Sequence, residues 1–148
     1  MDSLTAGVKA LQQMPLLANL PHGELETLAE RLKLERYDSG AEIIRQGTSG
    51  SSAYFVVSGK CEVRRKTPRG KRRLAFLEPG DFFGELSIVA PAPRSATVTT
   101  CEPTVVLVLT EYQFRAALRS NRAMALHLVK VLAERLQRAV DEFTEATR

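Results

Sequence analysis

Five glycines, at positions 40, 47, 59, 70 and 80, cut the middle of this 148-residue chain into short lengths and so limit what it can fold into. Between and beyond them lie brief runs rich in β-branched and aromatic residues: Glu42 to Arg45, Ala53 to Val57, Cys61 to Arg64, Leu74 to Leu77, Ala96 to Thr100 and Thr104 to Leu109. Glycine reaches backbone angles closed to other residues and therefore marks turns. The runs between such turns read as strands. Many short strands in quick succession pack as an antiparallel sandwich or jelly roll, expected here over 37–109.

Helical periodicity flanks this region. Val8, Leu11 and Met14 lie a turn apart before Pro15, and Leu25, Leu28, Ala29 and Leu32 follow the spacing of an amphipathic face. Pro21, His22 and Gly23 cap that second helix poorly. Downstream, Thr110-Glu111-Tyr112-Gln113 has the form of a capping box. The helix it opens is expected to pause near Ser120-Asn121 and resume to about Phe143, with Ala125, Leu128, Val129, Leu132, Leu136, Val140 and Phe143 as one apolar stripe. The fold class is thus mainly β with flanking helices: an antiparallel β-roll or jelly roll with N-terminal helices over 1–36 and two C-terminal helices over 110–148. The length fits a single domain with its own core.

Composition narrows the function. No run approaches the roughly 20 apolar residues of a membrane span and no signal peptide opens the chain, so the expectation is a cytoplasmic protein that does not span a membrane. Cys61 and Cys101 form no metal-binding spacing with His22 and His127 and are expected to be buried free thiols. No nucleophile–base constellation is visible, so an enzyme is not expected. Of the 21 basic residues, Arg64, Arg65, Lys66, Arg69, Lys71, Arg72 and Arg73 crowd around Pro68 and Gly70. A solvated hairpin tip explains such a run; nucleic acid or an anionic lipid surface is the sharper reading. No helix-turn-helix or aromatic interleaving accompanies it, so no DNA is expected to bind this chain alone.

The chemistry concentrates in Phe83-Gly84-Glu85-Leu86-Ser87, followed by Pro93-Arg94-Ser95-Ala96-Thr97. Gly84 lets backbone approach a ligand closely. Leu86 to Val89 can form a single helical turn whose first N–H groups favour an anion. Arg94 offers a planar fork matched to two phosphate oxygens. Glu85, acceptor-only when ionised, suits a ribose hydroxyl and would repel a second phosphate. Together they are what a small sugar phosphate needs.

These residues resemble the phosphate-binding cassette of cyclic nucleotide-binding domains, the family of kinase regulatory subunits, bacterial catabolite activators and gated channels. The cassette spans 83–97, and the order helix, β-roll, two helices resembles the family's architecture from about Met14 onward. The resemblance implies a phosphate held by Arg94, the Ser95 hydroxyl and backbone N–H groups near Leu86 and Ala96. It implies a ribose 2′-hydroxyl held by Glu85 and the Gly84 backbone, and Phe83, Leu86 and Ser87 as further cassette positions. Val63 and Leu74 fall where the family sets apolar side chains against the purine. Arg135, 41 residues beyond Arg94, stands where some channel members stack an arginine over the base; a solvated helical arginine is the other reading.

The implied ligand is cAMP, with cGMP as the alternative, and no other cofactor. The final helix is expected to close over the base as a lid through Leu132, Arg135 and Leu136, or to pack against a second copy as a homodimer. Its output would pass to an unnamed effector protein. Alternatives are the sensory domain of a bacterial transcription regulator or of a channel, separated from its output domain, and a β-roll interaction module without ligand. Met1 and the helical N-terminus favour a stand-alone sensor over an excised one.

Overall fold

A computed structural model describes residues 3–147. Met1, Asp2 and Arg148, which the expected domain limits include, lie outside the described residues. Two helices open the chain, α1 (Ser3–Gln12) and α2 (His22–Glu30). The strands are β1 (Lys33–Tyr37), β2 (Glu42–Ile44), β3 (Ala53–Ser58), β4 (Cys61–Thr67), β5 (Gly70–Leu77), β6 (Phe82–Phe83), β7 (Thr97–Thr100) and β8 (Thr104–Leu109). The one-turn helix α3 (Leu86–Val89) interrupts them, and α4 (Glu111–Ser120) and α5 (Arg122–Ala146) close the chain.

The strands form two four-stranded sheets, ordered β1-β8-β3-β6 and β2-β7-β4-β5, with antiparallel pairing throughout. β8 shows why the sheets face each other. Its side chains alternate, so Val106 and Val108 join Val56, Cys61, Phe83 and Val98 inside the roll, while Leu107 and Leu109 point to the helices. There they meet Leu11, Leu17, Leu25, Phe55, Phe114 and Met124 in a second core. A strand buried on both faces is a continuous apolar run, which is how β8 reads in the sequence.

Three expectations need correction. The roll begins at Lys33 rather than Tyr37, because Lys33–Tyr37 pairs with β8 along its whole length, from Lys33 opposite Val108 to Tyr37 opposite Thr104. Cys101 is exposed while Cys61 is buried, although both are free. The α5 stripe divides: Met124 and Leu128 are buried, but Val129, Leu136 and Phe143 are 62%, 66% and 70% exposed. The helix-start signals hold. Thr110 Oγ1 accepts from the Gln113 N–H and Gln113 Oε1 from the Thr110 N–H, closing the capping box, and Asn121 caps α5 by accepting from the Met124 N–H. Among the described residues no helix is long and apolar enough to cross a membrane.

Candidate functional site

A cleft of about 410 Å³ lies between the β2-β7-β4-β5 sheet, the segment around α3, and α5. Phe83, Gly84, Glu85, Leu86, Ser87, Arg94, Ser95, Ala96, Val63, Leu74 and Arg135 all line it. Residues from five separate stretches of sequence therefore meet at one place.

Arg94 is the centre of the site. Its backbone is fixed on both sides, the N–H donating to the Thr48 carbonyl and its carbonyl accepting from the Gly47 N–H. Its side chain is only 4% exposed. Nη1 donates to the Gly84 carbonyl at 2.9 Å and Nη2 to the Ser52 carbonyl at 3.2 Å. The Tyr54 ring, stacked on Phe83 at 5.0 Å, lies 5.9 Å from the guanidinium carbon. Two glycines make room for this. A Cβ on Gly50 would sit 2.6 Å from Arg94 Nε, and one on Gly84 would sit 2.8 Å from the Ser52 carbonyl oxygen and 3.0 Å from Arg94 Nη1. Gly84 also has φ of +84°, a conformation that disfavours any side chain. Among the described residues Arg94 makes no ion pair; carbonyl dipoles are its partners. A buried guanidinium without a counter-anion is costly, and this one borders the cleft.

Glu85, 2% exposed, stands at the N-cap position of α3 without a side-chain capping bond. Its Oε1 accepts from Arg135 Nη1 at 2.6 Å. Burial pushes the Glu85 carboxyl above the ordinary carboxylate range, against the opposing pull of Arg135 and Arg94. Arg135 also donates from Nη2 to the Phe82 carbonyl at 3.1 Å and lies 4.9 Å from the Phe82 ring centre. Arg135 keeps 34% of its side chain exposed and, in this state, ties α5 to the carboxylate of the cassette.

The remaining residues differ in character. Val63 and Leu74 belong to the apolar wall on β4 and β5, joined by Phe76 and Ile44. Phe83 is buried and also part of the roll's core, whereas Leu86 is 48% exposed at the rim. Ser95 is exposed and Ala96 buried. Of the three residues expected in the lid, Arg135 borders the cleft, Leu132 packs on the helical core and Leu136 faces solvent. Sequence reasoning missed Arg138, Ala139 and Glu142 as cleft residues. The signal was available: from Arg135 they follow i+3, i+4 and i+7, one face of α5.

The chemistry of this cleft is recognition. A cation with a planar donor fork, an acceptor carboxylate, an apolar wall and the start of a helical turn suit a small, singly charged phosphate carrying a sugar and a flat apolar group. Burial pushes the Cys61 thiol up to about 11, away from the thiolate form that a nucleophile needs.

The sequence profile of the cyclic nucleotide-binding domain matches residues 34–121. The chain is 34% identical over 134 residues to the cAMP-dependent protein kinase regulatory subunit of Mycosarcoma maydis, covering 90% of this chain and 24% of that one. It is 34% identical over 126 residues to the cyclic AMP receptor protein of Thermus thermophilus, covering 84% of this chain and 58% of the other. It thus spans about a quarter and just under three-fifths of those two relatives. Among solved structures, the sensor domain of the transcriptional regulator DNR from Pseudomonas aeruginosa superposes with a TM-score of 0.80 at 26% identity, over 96% of both chains.

Proposed function

The chain belongs to the cyclic nucleotide-binding domain family, and on that premise we propose that it is a sensor module that binds cAMP in preference to cGMP and relays occupancy through α5. The whole chain is then one cytoplasmic binding domain, the nucleotide its signal and not its substrate. The observation that carries this reading is Arg94: a guanidinium 4% exposed, bordering the cleft, and bonded to neutral carbonyls alone. A cyclic phosphodiester is the singly charged counter-ion of matching geometry. Its sugar 2′-hydroxyl would donate to Glu85, and its purine would lie against Val63 and Leu74. The relatives named for cAMP support that choice of nucleotide, as does the Arg94-Ser95-Ala96 form of the cassette.

Relay follows from Glu85. Its carboxylate is held by α5 through Arg135, so a sugar hydroxyl arriving there changes what holds α5 in place. A ligand shifts an equilibrium only by binding one state better than the other, and this shared carboxylate supplies the difference.

Thermal shift with cAMP, cGMP, AMP and ATP tests the binding reading. At about 100 times its Kd a ligand stabilises by about 2.7 kcal/mol, or roughly 5–10 °C for a chain of this size. The shift should be largest with cAMP, smaller with cGMP and near zero with AMP, whose phosphate is doubly charged and open. No shift with either cyclic nucleotide would remove the proposal.

The outward face of α5 supports a homodimer as the form that carries the signal. Leu126, Val129, Leu136, Val140 and Phe143 are exposed, and with Ala133 they alternate three and four apart, the seam of a two-stranded coiled coil. Light scattering should give twice the 16.4 kDa of one chain. Leu136→Glu with Phe143→Glu should return it to the monomer mass; a parent that stays monomeric at 100 μM would exclude this assembly.

A further inference from the structure

The β4–β5 ribbon carries the most concentrated charge on the molecule and takes no part in the cleft's polar chemistry. From Val63 to Leu77 it holds seven basic side chains and no acidic one. The other 14 basic residues are outnumbered by 17 acidic ones, so the rest of the chain is net negative. β7 accompanies β4 only as far as Arg64, which lies opposite Thr97. Beyond it the ribbon continues on two strands alone, with Arg64 opposite Arg73, Arg65 opposite Arg72 and Lys66 opposite Lys71. Like charges placed directly across a ladder oppose its formation, so the charges on these three rungs work against the hairpin that carries them, although Arg73 also lies 4.7 Å from the Phe76 ring centre.

Neighbouring groups leave most of this charge unmatched. Glu62 bonds Arg64, and Glu42 bonds Arg45 while feeling Lys71 only at a distance. Among the described residues Arg65, Lys66, Arg69, Lys71, Arg72 and Arg73 make no ion pair. The ribbon is nevertheless held in shape. Gln46 brackets the Lys66 backbone, its Oε1 accepting from the N–H at 2.7 Å and its Nε2 donating to the carbonyl at 3.2 Å, and Thr67 ties the turn.

We infer that this ribbon docks into a groove of duplex nucleic acid, by phosphate contact and without reading sequence. The choice of partner rests on the strand pleat. Successive side chains point to opposite faces, so consecutive basic residues at 64–66 and 71–73, all exposed, charge both faces of the ribbon. A planar lipid surface meets one face at a time. A major groove, about 12 Å wide and lined by phosphates on both sides, admits a two-stranded ribbon and meets both. Five of the seven cations are arginines, whose forks fit phosphate oxygens in pairs. The net negative remainder of the chain would repel the duplex and so orient the ribbon toward it. This departs from the expectation of no DNA, which rested on the lack of a recognition helix; that lack removes base reading and leaves phosphate contact untouched.

Fluorescence anisotropy of the full chain with a labelled random-sequence duplex tests the inference. Binding should be micromolar at 50 mM salt and, for about four phosphates contacted, weaken about a hundredfold by 200 mM. Arg65→Glu with Lys71→Glu converts two like-charged rungs to opposite-charged ones. It should melt no lower than the parent yet bind the duplex at least about thirtyfold more weakly at 50 mM salt. No duplex binding at 50 mM salt, or equal binding by this variant, would overturn the inference. So would binding to vesicles containing phosphatidylserine in place of the duplex.

Discussion

Arg94→Ala should all but abolish cyclic nucleotide binding. Truncating one partner of a buried, hydrogen-bonded charge pair costs about 2–5 kcal/mol, which is roughly thirtyfold to several thousandfold in Kd. The upper end applies where no neighbouring side chain can supply the missing cation. Here the residues set against the guanidinium include Gly50 and Gly84, which carry no side chain, so the effect should lie toward the upper end. Arg94→Lys keeps the charge and loses the fork, and it cannot reach the Gly84 and Ser52 carbonyls together. Its affinity should fall between parent and alanine.

The ligand-free protein makes this experiment sharper. Arg94→Ala deprives two half-buried carbonyls, of Gly84 and Ser52, of a donor, a cost of up to about 1–3 kcal/mol each where water cannot replace it. It also releases a guanidinium that was buried without a counter-anion, and that release is favourable. The two terms oppose each other, so the melting temperature without nucleotide should move little compared with the lost nucleotide-induced shift. Calorimetric titration giving Arg94→Ala a Kd within threefold of the parent's would show that the anion is held elsewhere.

How much of this was legible in the sequence depended on where each residue's partners lie. β8 and β3 are readable because both faces are buried and their apolar runs are unbroken. The cassette is readable because its turn glycine, carboxylate and arginine all fall within 83–97. β1 is not: Lys33, Glu35 and Arg36 give Lys33–Tyr37 no apolar alternation, and it becomes a strand through its pairing with β8. Nor could periodicity divide the α5 stripe, for apolar residues recur alike on a face that meets the core and on one that meets nothing in the same chain. Arg135 is the clearest case. The resemblance set it at the cleft, and the closed fold adds a partner that no spacing reveals, the Glu85 carboxylate.

The Glu85–Arg135 pair yields the second large effect, and it depends on pH. Burial raises the Glu85 carboxyl above its unfolded value while Arg135 pulls it back. A group raised in the folded state contributes stability that is full below the unfolded value, near pH 4.5, and is lost as pH climbs through the folded one. Arg135→Ala removes the opposing pull, so the folded value rises further and more stability is lost between acid and neutral pH. Breaking a fully buried pair costs about 3–5 kcal/mol. Arg135 keeps 34% of its side chain in water, so about 2 kcal/mol is expected at pH 7 after allowing for solvent screening. Near pH 4 the deficit should be small, because Glu85 is then protonated in both proteins. Glu85→Gln should flatten the profile, and the double variant should melt above Arg135→Ala alone at pH 7. A deficit for Arg135→Ala that stays constant from pH 4 to 8 would mean the arginine acts by packing on Phe82 and not through the carboxylate. In that event the sugar hydroxyl and α5 share no group, and adding nucleotide would leave hydrogen exchange along α5 unchanged in the parent as well.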